Sequence, residues 1–259
     1  MGTFYCRHIG VISSKGEYVF HLDSDDMILD SDVFSSVTNI ADVGNFDIIT
    51  FQYILAHHSA NLLNAKINGN ILWNNLILYQ PEMGLFPFRP GKEYGKYIIF
   101  ESFIWLNCVK TRVYQKISQK IGEKRYTRYH IYEEDRTDIY ALRNTAQSMK
   151  YIGKFGYLKI RTPSSMTGRH IPEEEKIISK LYFIDICIDF SKESYESKKV
   201  LVYFFTYLME LKAFVKVLKS NEYHKKFFIS CMNRILNCKY FVNEDKNEIK
   251  KRVAKFDFS

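Results

Sequence analysis

Chain-breaking residues and cysteines are both scarce in this sequence. The 259 residues include 12 Gly and 5 Pro, against 19 Tyr and 20 Phe. Few breakers and many bulky side chains exclude a low-complexity or disordered chain and indicate a packed protein of helices and strands. The five cysteines are an odd number without a C-x-x-C pair, which excludes a disulfide framework and a zinc site of the usual spacing. We therefore expect reduced, mostly buried thiols in a cytoplasmic protein.

Long hydrophobic runs are also missing. The longest apolar run, residues 200–209, has about half the length that a membrane-spanning helix needs, and Glu210 and Lys212 follow it at once. The N-terminal residues contain no stretch long enough for a secretory signal. The sequence therefore predicts a soluble protein.

Negative charge is in deficit. Lys and Arg number 37 and Asp and Glu number 29, which gives a formal net charge of +8. Such an excess suits an anionic membrane surface or a phosphate-bearing substrate. We expect no nucleic-acid partner, because no RNP or KH signature accompanies the basic and aromatic residues 124–130.

Apolar strands and amphipathic helices alternate in the first part of the chain. Residues 18–22 and 46–53 have the short apolar pattern of buried strands, and residues 4–15 and 31–40 have helical spacing. Residues 151–153 and 155–161 indicate two further short strands. This alternation predicts an α/β fold.

The pattern changes after residue 170. Three amphipathic helices are predicted at residues 173–190, 197–219 and 222–240, followed by a charged tail beyond residue 243. We predict an α/β domain over residues 1–170 and an α-helical appendage over residues 171–259.

Three carboxylates, those of Asp23, Asp25 and Asp26, follow the predicted strand 18–22 within four residues. Like charges packed this closely repel each other, and hard oxygen ligands suit Mg²⁺ or Mn²⁺. In open α/β sheets, ligands bind beyond the carboxyl ends of the strands. An ordinary turn rich in Asp and Ser is the alternative that these residues leave open.

A second acidic pair, Glu134 and Asp135, precedes a helical pattern that includes Ile139 and Leu142. Carboxylates at a helix N-terminus are stabilised by the helix macrodipole, so simple capping would explain the pair. A catalytic carboxylate is the other explanation.

Four segments together resemble family 2 glycosyltransferases of the GT-A fold. In chain order they are Arg7-His8-Ile9-Gly10, Leu22-Asp23-Ser24-Asp25-Asp26, Glu134-Asp135, and Tyr157 with Arg161 and Ser165-Met166-Thr167. His8 stands where the family has Asn. The resemblance spans residues 7–167 and implies a Rossmann-like mixed sheet flanked by helices. It also implies an N-terminally truncated GT-A domain, because nothing in the chain matches the family's first strands, which hold the nucleoside.

The resemblance implies a metal-assisted transfer of a sugar from a nucleotide-diphosphate sugar, with a UDP-sugar as donor. The acceptor would be a hydroxyl of a glycan, a lipid-linked molecule or a surface polysaccharide, and the anomeric configuration would invert. Mn²⁺ or Mg²⁺ would bind Asp25 directly, together with Asp23.

The remaining roles implied by the resemblance concern the donor and the acceptor. Asp23, Asp25, Asp26 and Arg161 would contact the donor. Asp135, next to Glu134, would be the general base toward the acceptor hydroxyl.

Other interpretations stay open at this point. A non-catalytic remnant of such an enzyme would serve as a binding or structural protein. A phosphohydrolase of the haloacid dehalogenase type also has an Asp-x-Asp loop, but Met27 stands where that family has Thr or Val. The basic helices would also allow peripheral contact with the cytoplasmic face of an anionic membrane.

Overall fold

The structure is a computed structural model, which describes most of the chain in ten segments. They are residues 2–57, 66–68, 77–79, 104–126, 134–161, 171–191, 208–209, 213–239, 241 and 243–254. The strands are β1 (Tyr18–Phe20), β2 (Met27–Ile28), β3 (Ile48–His57), β4 (Lys66–Asn68), β5 (Ile77–Tyr79), β6 (Asn107–Lys110) and β7 (Ser148–Arg161). The helices are α1 (Thr3–Ser13), α2 (Asp32–Gly44), α3 (Thr111–Ile121), α4 (Glu134–Thr145), α5 (Glu173–Phe190), α6 (Phe214–Ser220), α7 (Glu222–Asn237) and α8 (Asn243–Val253).

The strands of the described residues form one mixed sheet. Its main path runs β1-β6-β3-β7-β2, and β4 and β5 pair with β3 and β7. The central pair, β3 and β7, is parallel from Ile48 opposite Met149 to His57 opposite Arg161, with an irregularity near Gln52. The other pairings are antiparallel. Residues 48–53 of β3 are all buried, as expected for a central strand covered on both faces.

Helices α1 and α2 pack through single apolar faces. In α1 the buried residues Phe4, His8 and Val11 recur at helical spacing. In α2 the same spacing buries Val33, Val37 and Ala41. Val33 lies so close to Gly156 of β7 that a Cβ there would be 2.4 Å from Val33 Cγ2. Glycine at position 156 therefore allows α2 to approach the sheet.

The C-terminal helices pack against the α/β part through α5. Residues on nearly every side of α5 are buried, which is typical of a helix inside a core rather than on a surface. Phe183 of α5 meets Tyr140 of α4 edge-on at 6.1 Å between ring centroids. Phe214 of α6 meets Phe228 of α7 in the same way at 5.1 Å.

Among the described residues, the helices are all too short or too polar to cross a membrane. The five cysteines are free thiols, and Cys108, Cys187 and Cys231 are buried. The predicted burial is therefore confirmed for these three thiols, whereas Cys6 is exposed.

The predicted α/β fold with a helical C-terminal region is confirmed. Three local predictions were wrong or incomplete. Residues 148–161 form one continuous strand instead of two, β2 was not predicted, and the predicted tail contains α8. Much of the predicted helix 197–219 lies outside the described residues, and the boundary at residues 170 and 171 stays a prediction.

Candidate active site

The acidic loop lies where β1 ends and the chain turns back along β7. The backbone N–H of Asp26 donates to the carbonyl of Asp23 at 3.1 Å, which closes a tight turn. Strand β2 then pairs with Tyr157 and Leu158 of β7. The loop is therefore held against the carboxyl end of β7, as the sequence predicted for a ligand site at a strand end.

Asp26 anchors this loop. Its side chain is fully buried, and it accepts hydrogen bonds from three groups of β7: the Tyr157 hydroxyl at 2.6 Å, Lys159 Nζ at 2.8 Å and the Ile160 backbone N–H at 2.8 Å. A buried carboxylate needs such partners, since an unpaired charge is costly to desolvate. These bonds give Asp26 a structural role, while its predicted contact with a donor stays a prediction.

The ring of Trp105 contacts two of the residues that hold Asp26. It stacks on the ring of Tyr157 with the centroids 4.4 Å apart. Lys159 Nζ lies 5.5 Å from the Trp105 centroid, over the face of the ring, where a cation is attracted. Tyr157 and Lys159 therefore have fixed positions.

Asp23 and Asp25 lie on the open side of the loop. Together with Asp26 they offer carboxylate oxygens that all lie within 4.8 Å of one another. Asp25 is exposed, and the side chain of Asp23 is about a quarter exposed. Hard oxygen donors at this spacing are the ligands that Mg²⁺ and Mn²⁺ prefer.

Asp135 reaches the same edge from the first turn of α4. Arg7 of α1 donates to Asp135 Oδ1 through Nη1 and to Asp23 Oδ1 through Nη2, the second at 3.0 Å. The loop after β1 and the start of α4 therefore meet through one guanidinium group. Burial raises the pKa of Asp135, and the charge of Arg7 opposes that rise.

The second oxygen of Asp135, Oδ2, accepts no hydrogen bond from the described residues. The side chain is about a quarter exposed. An oxygen with a free lone pair at an accessible edge can accept a proton from a bound hydroxyl group.

The charges of the described side chains at this edge do not balance. Among them, four carboxylates (Asp23, Asp25, Asp26 and Asp135) face two cations (Arg7 and Lys159), which leaves these six groups a formal charge of −2. A bound divalent cation would cancel that charge. The residues present therefore fit a divalent metal ion in ligand chemistry and in charge.

A buried polar pair lies behind Asp135. The Tyr114 hydroxyl donates to Asp138 Oδ2 at 2.7 Å, and Asp138 is one helical turn after Asp135 on α4. Burial raises the pKa of Asp138 to about 7. On the other side of Tyr114, burial lowers the pKa of His21 to about 3, so this imidazole is neutral.

The structure brings together Asp23, Asp25, Asp26 and Asp135 among the predicted site residues. Glu134 starts α4 and is half-buried. Arg161 ends β7, and its side chain lies outside the described part of the structure. Sequence reasoning gave no role to Arg7, Tyr157 or Trp105, and Lys159 was only an alternative to Arg161. The role of Arg7 could have been inferred from its spacing. Arg7 lies three residues after Phe4 and four before Val11, which puts it on the buried face of α1.

A groove of about 720 Å³ opens elsewhere, between α5 and α7. Its lining includes Asp189, Lys226 and Arg234 and shares no residue with the acidic loop or with α4. The carboxylates that suit a divalent cation lie at the acidic loop, away from this groove.

Solved structures of S. aureus TarS resemble this one. TarS 1–349 in complex with UDP aligns over 98% of this chain and 67% of its own, with a TM-score of 0.54 and 11% identity. The complex of TarS 1–349 with UDP-GlcNAc aligns over 96% and 67%, with a TM-score of 0.57 and 12% identity. A further TarS structure aligns over 96% and 40%, with a TM-score of 0.52 and 11% identity.

No protein-family model and no curated protein matches the sequence. At this level of identity the structural likeness shows the fold alone. The chain thus has a GT-A-like α/β fold with a C-terminal helical region, similar to that of S. aureus TarS.

Proposed function

We propose that this protein is a metal-assisted glycosyltransferase of the family 2 type. It transfers a sugar from a nucleotide-diphosphate sugar, with a UDP-sugar as donor, to a hydroxyl group of a glycan or lipid-linked acceptor. The observation that carries the proposal is the meeting of Asp23 and Asp135 at one edge of the sheet, on the same guanidinium group. The likeness to TarS in complex with UDP and UDP-GlcNAc supports the donor class.

Asp25 and Asp23 would hold Mn²⁺ or Mg²⁺ in this proposal. A divalent cation there would neutralise the charge that develops on the leaving diphosphate. Asp25 is the more exposed of the two carboxylates and presents the freer oxygens. Asp26 keeps the loop in place through its bonds to β7.

Asp135 is the general base in this proposal. Its Oδ2 takes the proton of the acceptor hydroxyl as the acceptor oxygen attacks the anomeric carbon and the bond to the diphosphate oxygen breaks. A single displacement of this kind inverts the configuration at that carbon. Because burial raises the pKa of Asp135, its carboxylate is a stronger base than an exposed one.

Calorimetry with UDP-GlcNAc and UDP-glucose, each with and without Mn²⁺, tests the donor site. We expect binding that depends on Mn²⁺ and that is weakened about tenfold or more in Asp25→Asn, since one charged ligand is lost. If no metal-dependent binding occurs with either donor, the transferase proposal fails and the non-catalytic interpretation replaces it.

The base is tested by the rate of UDP release, with water as acceptor. In Asp135→Asn, with Mn²⁺ at a saturating concentration for each protein, we expect donor affinity to change little while UDP release falls by a factor of about 10² or more, which is typical of removing a general base. Loss of donor binding in the same variant would mean that Asp135 is not acting as the base. A cytoplasmic location and contact with anionic membranes stay predictions from the composition.

A further inference from the structure

We propose that Arg7 is a positioning residue that takes the place of the divalent cation at Asp23 in the free protein and bonds Asp135 alone once the cation binds. This inference rests on the proposed function and assigns a role to a residue that the transfer mechanism does not itself require. Its evidence is the arrangement of contacts around the guanidinium group.

Both oxygens of Asp23 face cations of the protein itself. Arg7 Nη2 lies 3.0 Å from Oδ1, and Lys159 Nζ lies 3.3 Å from Oδ2. A metal ion that binds Asp23 has to compete with these two groups, since like charges that approach within a few ångströms repel strongly at partly buried positions. Either Arg7 or Lys159 therefore has to move away from Asp23 when the metal ion binds.

Of the two side chains, Lys159 is the harder to displace from Asp23. Its ammonium group also bonds the fully buried Asp26 at 2.8 Å and lies over the ring of Trp105. Removing it would leave the buried carboxylate of Asp26 short of a charged partner, which is costly.

Arg7 has a second carboxylate partner, Asp135, which it can keep when a cation binds Asp23. Its side chain is 10% exposed and bonds Asp135 as well as Asp23. When a divalent cation takes over Asp23, the guanidinium group keeps its charge paired by staying on Asp135 Oδ1. That contact occupies Oδ1 and leaves Oδ2 for the acceptor hydroxyl, so binding of the cation and orientation of the base are linked through one side chain.

The test is titration of Mn²⁺ alone, followed by electron paramagnetic resonance of the free ion. Arg7→Gln removes the competing charge, and we expect its Mn²⁺ affinity to rise about tenfold. Arg112→Gln, the same change on the exposed face of α3, should leave the affinity within twofold. A merely structural arginine would give the opposite sign, because loss of a supporting contact loosens the site and weakens metal binding.

Asp135→Asn provides an isosteric second variant should Arg7→Gln fail to fold. With Asp135 neutral, Asp23 is the only charged group among the described residues that bonds Arg7, so we expect Mn²⁺ affinity to fall about fivefold to tenfold. Glu134→Gln is the matched control, since it removes the neighbouring carboxylate that makes no bond to Arg7, and it should change the affinity less than twofold. Equal effects of these two variants would overturn the proposal.

The rate of UDP release separates this proposal from the proposed function. Arg7→Gln should lower the rate about hundredfold, and Arg7→Lys should recover part of it, since an ammonium group can bond one carboxylate at a time. If the unchanged protein binds Mn²⁺ but releases no UDP, the transferase proposal fails and the Mn²⁺ titrations still decide the role of Arg7. The role given to Arg7 is overturned if the folded Arg7→Gln variant binds Mn²⁺ as the unchanged protein does or more weakly. It is also overturned if the unchanged protein releases UDP and Arg7→Gln releases it at the same rate.

Discussion

The Tyr157 hydroxyl donates a hydrogen bond of 2.6 Å to Asp26 Oδ2, although the two residues are 131 positions apart in the sequence. This contact joins the loop after β1 to the last third of β7. It also explains how a loop with three carboxylates stays in one conformation.

Tyr157→Phe removes this bond and the longer one, of 3.3 Å, that the hydroxyl accepts from the Asp23 backbone N–H, while the ring still stacks on Trp105. We expect the free energy of unfolding to fall by about 1.5–3 kcal/mol, as for other bonds to charged groups. Urea denaturation would measure it.

Tyr5→Phe is the matched control for this change. The Tyr5 hydroxyl bonds Glu123 at an exposed position, so its loss should lower the free energy of unfolding far less than Tyr157→Phe does. Similar losses in the two variants would contradict the role of Tyr157 as an anchor of the loop.

The meeting of the two acidic clusters was expected only from the resemblance to family 2 glycosyltransferases. The residues alone placed Asp23 to Asp26 beyond the carboxyl end of a strand and left Glu134 and Asp135 open between a helix cap and a catalytic pair. The cations between them could not be placed, because Arg7, Asp23, Asp135 and Lys159 come from four separate elements. Their contacts depend on how α1, α4 and β7 approach each other, which no local pattern encodes.

The errors in secondary structure also have physical causes. Gly153 and Gly156 suggested a break in β7, and the pairing with β3 is irregular there, since Thr50 lies opposite Tyr151 and Gln52 lies opposite Phe155. The strand nevertheless continues, with parallel pairing to β3 on both sides of the irregularity. Helix α8 has a single buried residue, Ile249, so it lacked the apolar stripe by which helices are predicted. Acidic residues in its first turn and basic ones in its last turn stabilise it locally.

Asp25 and Asp26 differ in what their replacement should do, although they are adjacent. Asp25→Asn should weaken Mn²⁺ binding about tenfold or more and leave the free energy of unfolding within about 0.5 kcal/mol, because the side chain is exposed. Asp26→Asn should cost about 3 kcal/mol of stability, because a buried charged partner of Lys159 is lost. Mn²⁺ titration and urea denaturation of both variants would measure the contrast. A loss of stability in Asp25→Asn and of Mn²⁺ binding in Asp26→Asn would mean that the two residues have the opposite roles.

Asp138 should make stability depend on pH. Burial raises its pKa to about 7 from 3.8, so between these values the folded protein binds more protons than the unfolded chain. The contribution of this group to stability is therefore fully present below about pH 4 and is lost as the pH rises through about 7.

Asp138→Asn keeps the acceptor for Tyr114 but cannot ionise. Measured by urea denaturation with chelator present, this variant should exceed the parent protein in stability by about 2–4 kcal/mol at pH 8 and differ little at pH 4. Asp42→Asn, an exposed change on α2, should follow the parent protein within about 0.5 kcal/mol at both pH values. An Asp138→Asn variant that is less stable than the parent at pH 8 would mean that the carboxylate is held ionised.

The α/β part and the C-terminal helices are joined by a cluster of ion pairs. Arg125, which follows α3, and Arg234 of α7 both bond Asp185 and Asp189 of α5. The four side chains are between 12% and 30% exposed, so water screens them less than it screens a surface pair. Removing one cation leaves two carboxylates of α5 sharing the other.

We therefore expect Arg234→Met to lower the free energy of unfolding by about 1–3 kcal/mol, below the cost of breaking a fully buried pair. Lys226→Met on α7 is the matched control, since Lys226 is paired with Glu222 one turn away at an exposed position and its loss should cost about 0.5 kcal/mol or less. Urea denaturation followed by circular dichroism would compare them. A cost for Arg234→Met no larger than the control would mean that apolar packing of α5 against α4 holds the helices in place without the ion pairs.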